Sequence, residues 1–292
     1  MGSGDDGFLL VSHHIRKLRG GSQPILVQAS DGQYYVVKFV NNPQGANVLF
    51  NESMGTELYR ACKLPVPSWK PLMVTDSSLD SNPACWIETV EGRLRPKSGL
   101  CFGSEFLGGG RKRLLEILPG TSFKRVHDRT NFWLAWLLDI CAEHADNRQA
   151  VFVEDAGGWL DAFFIDHGHL LGGPEGRRQV PIRASRYLDP RIYSDVSYEN
   201  ILSRLYALAA LDVDRLWQCV AVIPDEWKSV SAVSSLGRCL DTLARPLMLL
   251  RVLDGVIDNH GEVKQGERGT GSEAILRPGV QPAATERPLP AY

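Results

Sequence analysis

The sequence predicts an α+β fold of two lobes, a β-rich N-lobe followed by a mainly helical C-lobe. Three observations predict it. β-Branched and aromatic runs bounded by turn residues fill the first ninety positions, apolar residues at helical spacing dominate after residue 130, and a mixed, Gly-rich stretch over 96–127 joins the two. A chain of 292 residues that is 43% hydrophobic can bury a real core, which excludes disorder of the whole and allows two lobes around a cleft. The expected boundaries are 1–95 for the N-lobe, 96–258 for the C-lobe and 259–292 for a Gly-, Glu- and Pro-rich disordered tail.

The elements follow in order. Ile25-Leu26-Val27-Gln28 and Tyr34–Val40 flank Asp31-Gly32, a dipeptide that favours the tight turn of a hairpin. Val48, Leu49, Leu58 and Ala61 carry helical spacing over 46–62, and Leu64-Pro65-Val66-Pro67 stops that helix. Strands are expected near Trp69–Val74 and Cys85–Val90, so the first ninety residues read β-β-α-β-β. A short helix is expected around Arg113–Leu118. A helix over 130–143, capped by Asp128 or Thr130, is apolar around nearly its whole circumference and is therefore a buried central helix. Gln149–Glu154 and Trp159–Ile165 form a second hairpin across Asp155-Ala156-Gly157-Gly158, and several amphipathic helices fill 197–258.

Composition limits function. With Lys+Arg 32 against Asp+Glu 34 there is no general attraction to nucleic acid or an acidic membrane. The six cysteines are widely spaced with no C-x-x-C, which reads as buried free thiols in a reducing compartment. Neither a signal peptide nor a membrane-spanning stretch is present, so a cytoplasmic, soluble protein is expected.

Four places can carry chemistry. Gly20, Gly21 and Ser22 precede the first hairpin; adjacent glycines let backbone N–H groups reach phosphate oxygens, although an ordinary tight turn needs the same residues. Lys38 stands among apolar residues of a strand, which calls either for an anionic partner, with Glu52 on the following helix as candidate, or for a solvent-facing edge strand. His144-Ala145-Asp146-Asn147-Arg148-Gln149 and Ile165-Asp166-His167-Gly168-His169 lie at the two ends of the second hairpin, which returns Asp146 and Asp166 to one place. Two close carboxylates repel unless a cation lies between them, and hard oxygen donors suit Mg²⁺.

In this order these parts resemble the HipA-like kinase domain family, within the protein-kinase-like phosphotransferases. The resemblance runs from about residue 12 to at least 176, more than half the chain. It rests on Arg19-Gly20-Gly21-Ser22-Gln23, Tyr35–Phe39, Asn42-Pro43-Gln44-Gly45, Asn51-Glu52, Leu64–Pro67, Asp146–Phe152 and Phe164–His169. It implies a two-lobed protein-kinase-like fold and transfer of the ATP γ-phosphoryl group to a hydroxyl acceptor, Ser/Thr of a protein by family analogy or else a small molecule. It implies that Lys38 pairs with the nucleotide phosphates and is positioned by Glu52, that Asp146 accepts the acceptor's proton, and that Asp166 holds Mg²⁺. The superfamily carries an Asn five residues after its catalytic Asp; here Val151 stands there, and Gln149 is the candidate second metal ligand. Two other classes compete: a nucleotide-binding pseudokinase or scaffold that keeps Lys38 and Asp166 without transfer, and a metal-dependent hydrolase built on His144, Asp146, Asp166, His167 and His169.

Overall fold

The structure is a computed structural model that describes residues 8–83, 85–109, 113–176 and 185–260. The tail expected from residue 259 onward falls outside the described residues, as do Arg177 and Arg178, except that the last helix runs through Asn259 to His260.

The N-terminal part is a closed barrel. Its strands are β1 (Leu9–Lys17), β2 (Ile25–Ala29), β3 (Tyr34–Lys38), β4 (Trp69–Val74) and β7 (Gly99–Glu105), ordered β1-β2-β3-β7-β4. The Asp31-Gly32 turn forms as expected: Gly32 takes φ +77° and Asp31 Oδ1 accepts the Gln33 N–H at 3.0 Å. Helix α1 (Val48–Ala61) follows β3 and ends where Lys63 turns left-handed (φ 59°). Val27, Val37, Leu72 and Cys101 fill the barrel interior.

Three elements depart from the expected order. β1 was not foreseen, and a short helix α2 (Asp76–Asp80) precedes the expected strand at Cys85–Val90, which is only β5 (Ile87–Thr89). That strand pairs with β6 (Gly92–Leu94) as a separate hairpin beside the barrel. β7 begins beyond residue 95 yet lies between β3 and β4, so the barrel draws on residues as far as Glu105.

The expected helix at Arg113–Leu118 is instead strand β8 (Arg113–Leu115), which adds to β9 (Gln149–Glu154) and β10 (Leu160–Ile165) in the order β10-β9-β8. The open edge of β9 supplies backbone partners for Leu114 and Leu115 that local helical spacing cannot match. Helix α3 (Thr130–Cys141) runs through the core, burying Phe132 to Leu138 without a break. Helices α4 (Tyr198–Ala209), α5 (Val213–Ala221), α6 (Val230–Leu243) and α7 (Pro246–His260) complete the helical part. All six cysteines are free; five are buried and Cys219 is half-buried. Among the described residues no helix is long and apolar enough to cross a membrane.

Candidate functional site

A cavity of about 520 Å³ opens between the barrel and the helical part. Its barrel wall carries Gly20, Ser22, Val36 and Lys38; its floor carries Asp146, Gln149, Val151 and Asp166. Ser22 lies in the turn that joins β1 to β2, and Gly20 holds φ +134° there, a conformation glycine alone adopts freely. Gly21 does not line the cavity: it packs on Gln44, whose amide nitrogen would stand 2.7 Å from a Cβ at that position.

β3 is flanked by β2 and β7, so Lys38 is on an interior strand and not on a solvent-facing edge. Its ammonium is buried and bonded to two carboxylates, Glu52 of α1 and Asp166 Oδ1, the latter at 2.6 Å. Burial alone would lower the lysine, but the charges of Asp166 and Glu52 outweigh it and hold it protonated above its ordinary value. Burial also opposes ionisation of Asp166, yet Lys38 beside it pulls the carboxyl from 3.8 to about 2. Burial pushes Glu52 upward from the ordinary carboxylate range, with Lys38 pulling the other way.

The loop that carries Asp166 is tied down on both sides. Glu52 accepts the His167 N–H at 3.1 Å and the Gly168 N–H at 2.8 Å, so one carboxylate fixes the lysine and the loop together. Asn51 donates to the carbonyls of Gly168 and Leu170 at 3.0 and 2.8 Å. Gly55 lets α1 approach this closely: a Cβ there would stand 2.5 Å from His167 Cβ. From below, Arg148 donates to Ile165 O at 2.9 Å, and Asp139 grips the same guanidinium at 2.7 and 2.8 Å. Tyr59 completes the set, donating to Asp139 at 2.6 Å. These contacts hold Asp166 at φ 60°, an uncommon backbone for a non-glycine residue.

The second hairpin brings Asp146 and Asp166 to one cavity. Gln149 donates its amide to Asp166 Oδ2 at 2.7 Å. Asp166 and Gln149 face the cavity with a carboxylate and an amide oxygen, donor types that a hard divalent cation takes. The histidines are scattered instead: His144 is buried away from the cavity, 3.7 Å from Asp139, and His169 bonds Gln44 at 2.9 Å. Burial and the Arg148 charge push both His144 and His167 well below their ordinary value, so both are neutral. Among the described residues no group of three or more His, Cys, Asp or Glu side chains is placed to hold a metal ion.

Two features of the site were missed in the sequence. Asp139 lies in the most apolar helix of the chain, where a carboxylate cannot be solvated and must find a cation, and that cation is Arg148. Its isolation among apolar residues was the available signal. The other is an apolar slot formed by Leu18, Pro24 and Val36 with Phe106 and Leu107, in the connection from β7 to β8. These residues are remote in sequence, and no local pattern joins them.

No protein-family model matches the chain, and no curated protein matches it. Solved structures do. The Helicobacter pylori proinflammatory kinase CtkA superposes with a TM-score of 0.50 at 12% identity, over 81% of this chain and 94% of that one. The fold is protein-kinase-like. The Golgi casein kinase is also similar, with a TM-score of 0.46 at 11% identity over 84% of this chain and 74% of that one. A second structure of it, with Mn/ADP bound, has a TM-score of 0.45 at 9% identity over 85% and 72%.

Proposed function

We propose that the chain is an ATP- and Mg²⁺-dependent phosphotransferase of the HipA-like kind, acting on a hydroxyl acceptor, Ser/Thr of a protein. The observation that carries the reading is Lys38, a buried ammonium on an interior strand that joins Glu52 of α1 to Asp166 of the floor at the edge of the cavity. In this reading Lys38 binds the nucleotide phosphates while Glu52 orients it, and the N–H groups of Gly20 and Ser22 in the turn add donors from above. The apolar slot of Leu18, Val36 and Leu107 receives the base. Asp146, half-buried on the cavity floor, accepts the proton of the acceptor hydroxyl. Asp166 and Gln149 are the residues that would hold Mg²⁺, which would neutralise charge on the phosphate oxygens. Little covalent chemistry is asked of the protein, so positioning and charge supply the rate.

A nucleotide-binding protein without transfer is the second reading. Val151 favours it, an apolar side chain in the cavity wall where the superfamily carries a metal-binding Asn. Transfer from γ-labelled ATP to the protein itself or to added protein acceptors, in Mg²⁺, separates the two. Asp146→Asn is expected to keep nucleotide affinity and to lose transfer by at least about 100-fold. Nucleotide binding by the wild type with no transfer to any acceptor favours the second reading, and transfer undiminished in Asp146→Asn refutes the role given to that residue.

A further inference from the structure

A side-chain amide joins the glycine turn to the β5–β6 hairpin. Gln23 closes the turn after Ser22 with a left-handed backbone, φ 48°, and its N–H donates to Gly20 O at 3.1 Å. Its carboxamide then meets the main chain of Glu88 twice. Nε2 donates to Glu88 O at 2.5 Å, and the Glu88 N–H donates to Oε1 at 2.7 Å. Glu88 is the central residue of β5, so the Gln23 amide stands where the peptide group of a third strand would stand.

The hairpin gives this contact a firm footing. Although β5 and β6 form their own two-stranded sheet, Ile87 and Cys85 at its base are buried in the barrel's interior cluster. Trp86 stacks under the Arg93 guanidinium at 4.0 Å, which ties the two strands together. On the other side of Gln23, Gly20 and Ser22 line the cavity beside Lys38. Glycine turns are mobile when nothing holds them, and adjacent glycines lose the most freedom on ordering. A two-point contact fixes both the place and the tilt of the group that makes it. Asparagine is one methylene too short for this reach, and glutamate has no N–H to give Glu88 O.

We infer that Gln23 is a positioning residue that clamps the glycine turn to the β5–β6 hairpin and so presets the turn's N–H groups for the phosphates of a nucleotide. The ligand in this statement rests on the phosphotransferase reading; the clamp does not.

Two variants of the full chain test it. Gln23→Met keeps the length and removes both bonds, whereas Glu88→Pro removes the one N–H that Glu88 donates, on a strand edge where proline is tolerated. The first readout is ¹⁵N relaxation at Gly20 and Gly21 without nucleotide; the second is Mg·ADP affinity by titration calorimetry. Faster motion of the turn in both variants and a Kd weakened about 3- to 10-fold are expected. The double variant is expected to be no weaker than the worse single, because both remove one contact. Unchanged relaxation in Gln23→Met overturns the clamp, and unchanged affinity with a loosened turn overturns its role in binding. If the wild type binds no Mg·ADP, the phosphotransferase reading fails, while the relaxation result still decides the clamp.

Discussion

Replacing Arg148 by methionine separates the stability of the fold from the shape of the site. Arg148 and Asp139 are both essentially buried, and Asp139 receives two hydrogen bonds from the guanidinium at 2.7 and 2.8 Å. With Arg148 gone, Asp139 keeps only the Tyr59 hydroxyl at 2.6 Å and the distant His144 at 3.7 Å. Removing one partner of a buried pair costs about 3–5 kcal/mol, because the other charge stays behind without compensation. At about 2–4 °C per kcal/mol for a chain of this class, the unfolding midpoint falls by roughly 6–20 °C. The pH dependence is specific. Burial already pushes the Asp139 carboxyl up, and without Arg148 it takes a proton in the folded state that the unfolded chain does not bind. The defect is therefore smaller at pH 5 than at pH 8. Adding Asp139→Leu removes the stranded charge and is expected to restore most of the lost stability in urea titrations. It does not restore the bond to Ile165 O, so Mg·nucleotide affinity stays weakened in the double variant. A loss below about 1 kcal/mol in Arg148→Met, or a double variant as unstable as the single one, refutes this account of the pair.

Three further outcomes are expected. Gly55→Ala drives a Cβ to 2.5 Å from His167 Cβ and 2.6 Å from Leu170 Cδ1, so it is expected to cost about 1–3 kcal/mol in urea and to loosen the Glu52 contacts to the Asp166 loop; stability equal to wild type counts against the close approach. Asp166 titrates near 2 when folded and near 3.8 otherwise, so its contribution of about 2 kcal/mol is present above pH 4 and disappears as pH falls towards 2. The stability gap between wild type and Asp166→Asn is expected to close over that window, and a gap independent of pH contradicts the pairing with Lys38. Thiol titration of the native protein is expected to label Cys219 first, the other five requiring unfolding; rapid modification of Cys141 contradicts the packing around α3.

Local signals carried much of the fold. Asp31-Gly32 marks a real turn, the unbroken apolar run from Phe132 marks a helix buried on all sides, and the Pro65-Val66-Pro67 stop follows the end of α1. What was missed depended on partners far away in the chain. β1 hides because two register shifts break its alternation, leaving no period-two pattern to read. β8 has helical leucine spacing and becomes a strand only because β9 offers it an edge. In the site, Lys38 left two readings open, since a strand does not declare whether it is interior. Its two carboxylate partners come from α1 and from beyond β10. Asp146 and Asp166 were easier to bring together, because a hairpin returns its ends to one place.

Titration calorimetry of Mg·ATP against the wild type, Lys38→Met, Asp166→Asn and Asp146→Asn tests the central claim most directly, that the cavity binds a nucleotide and its metal through Lys38 and Asp166. The wild type and Asp146→Asn are expected to bind alike, while Lys38→Met and Asp166→Asn bind at least about tenfold more weakly, each having lost a charged contact worth about 1.5–3 kcal/mol. Wild-type affinity in Lys38→Met, or no binding of Mg·ATP to the wild-type chain, contradicts it.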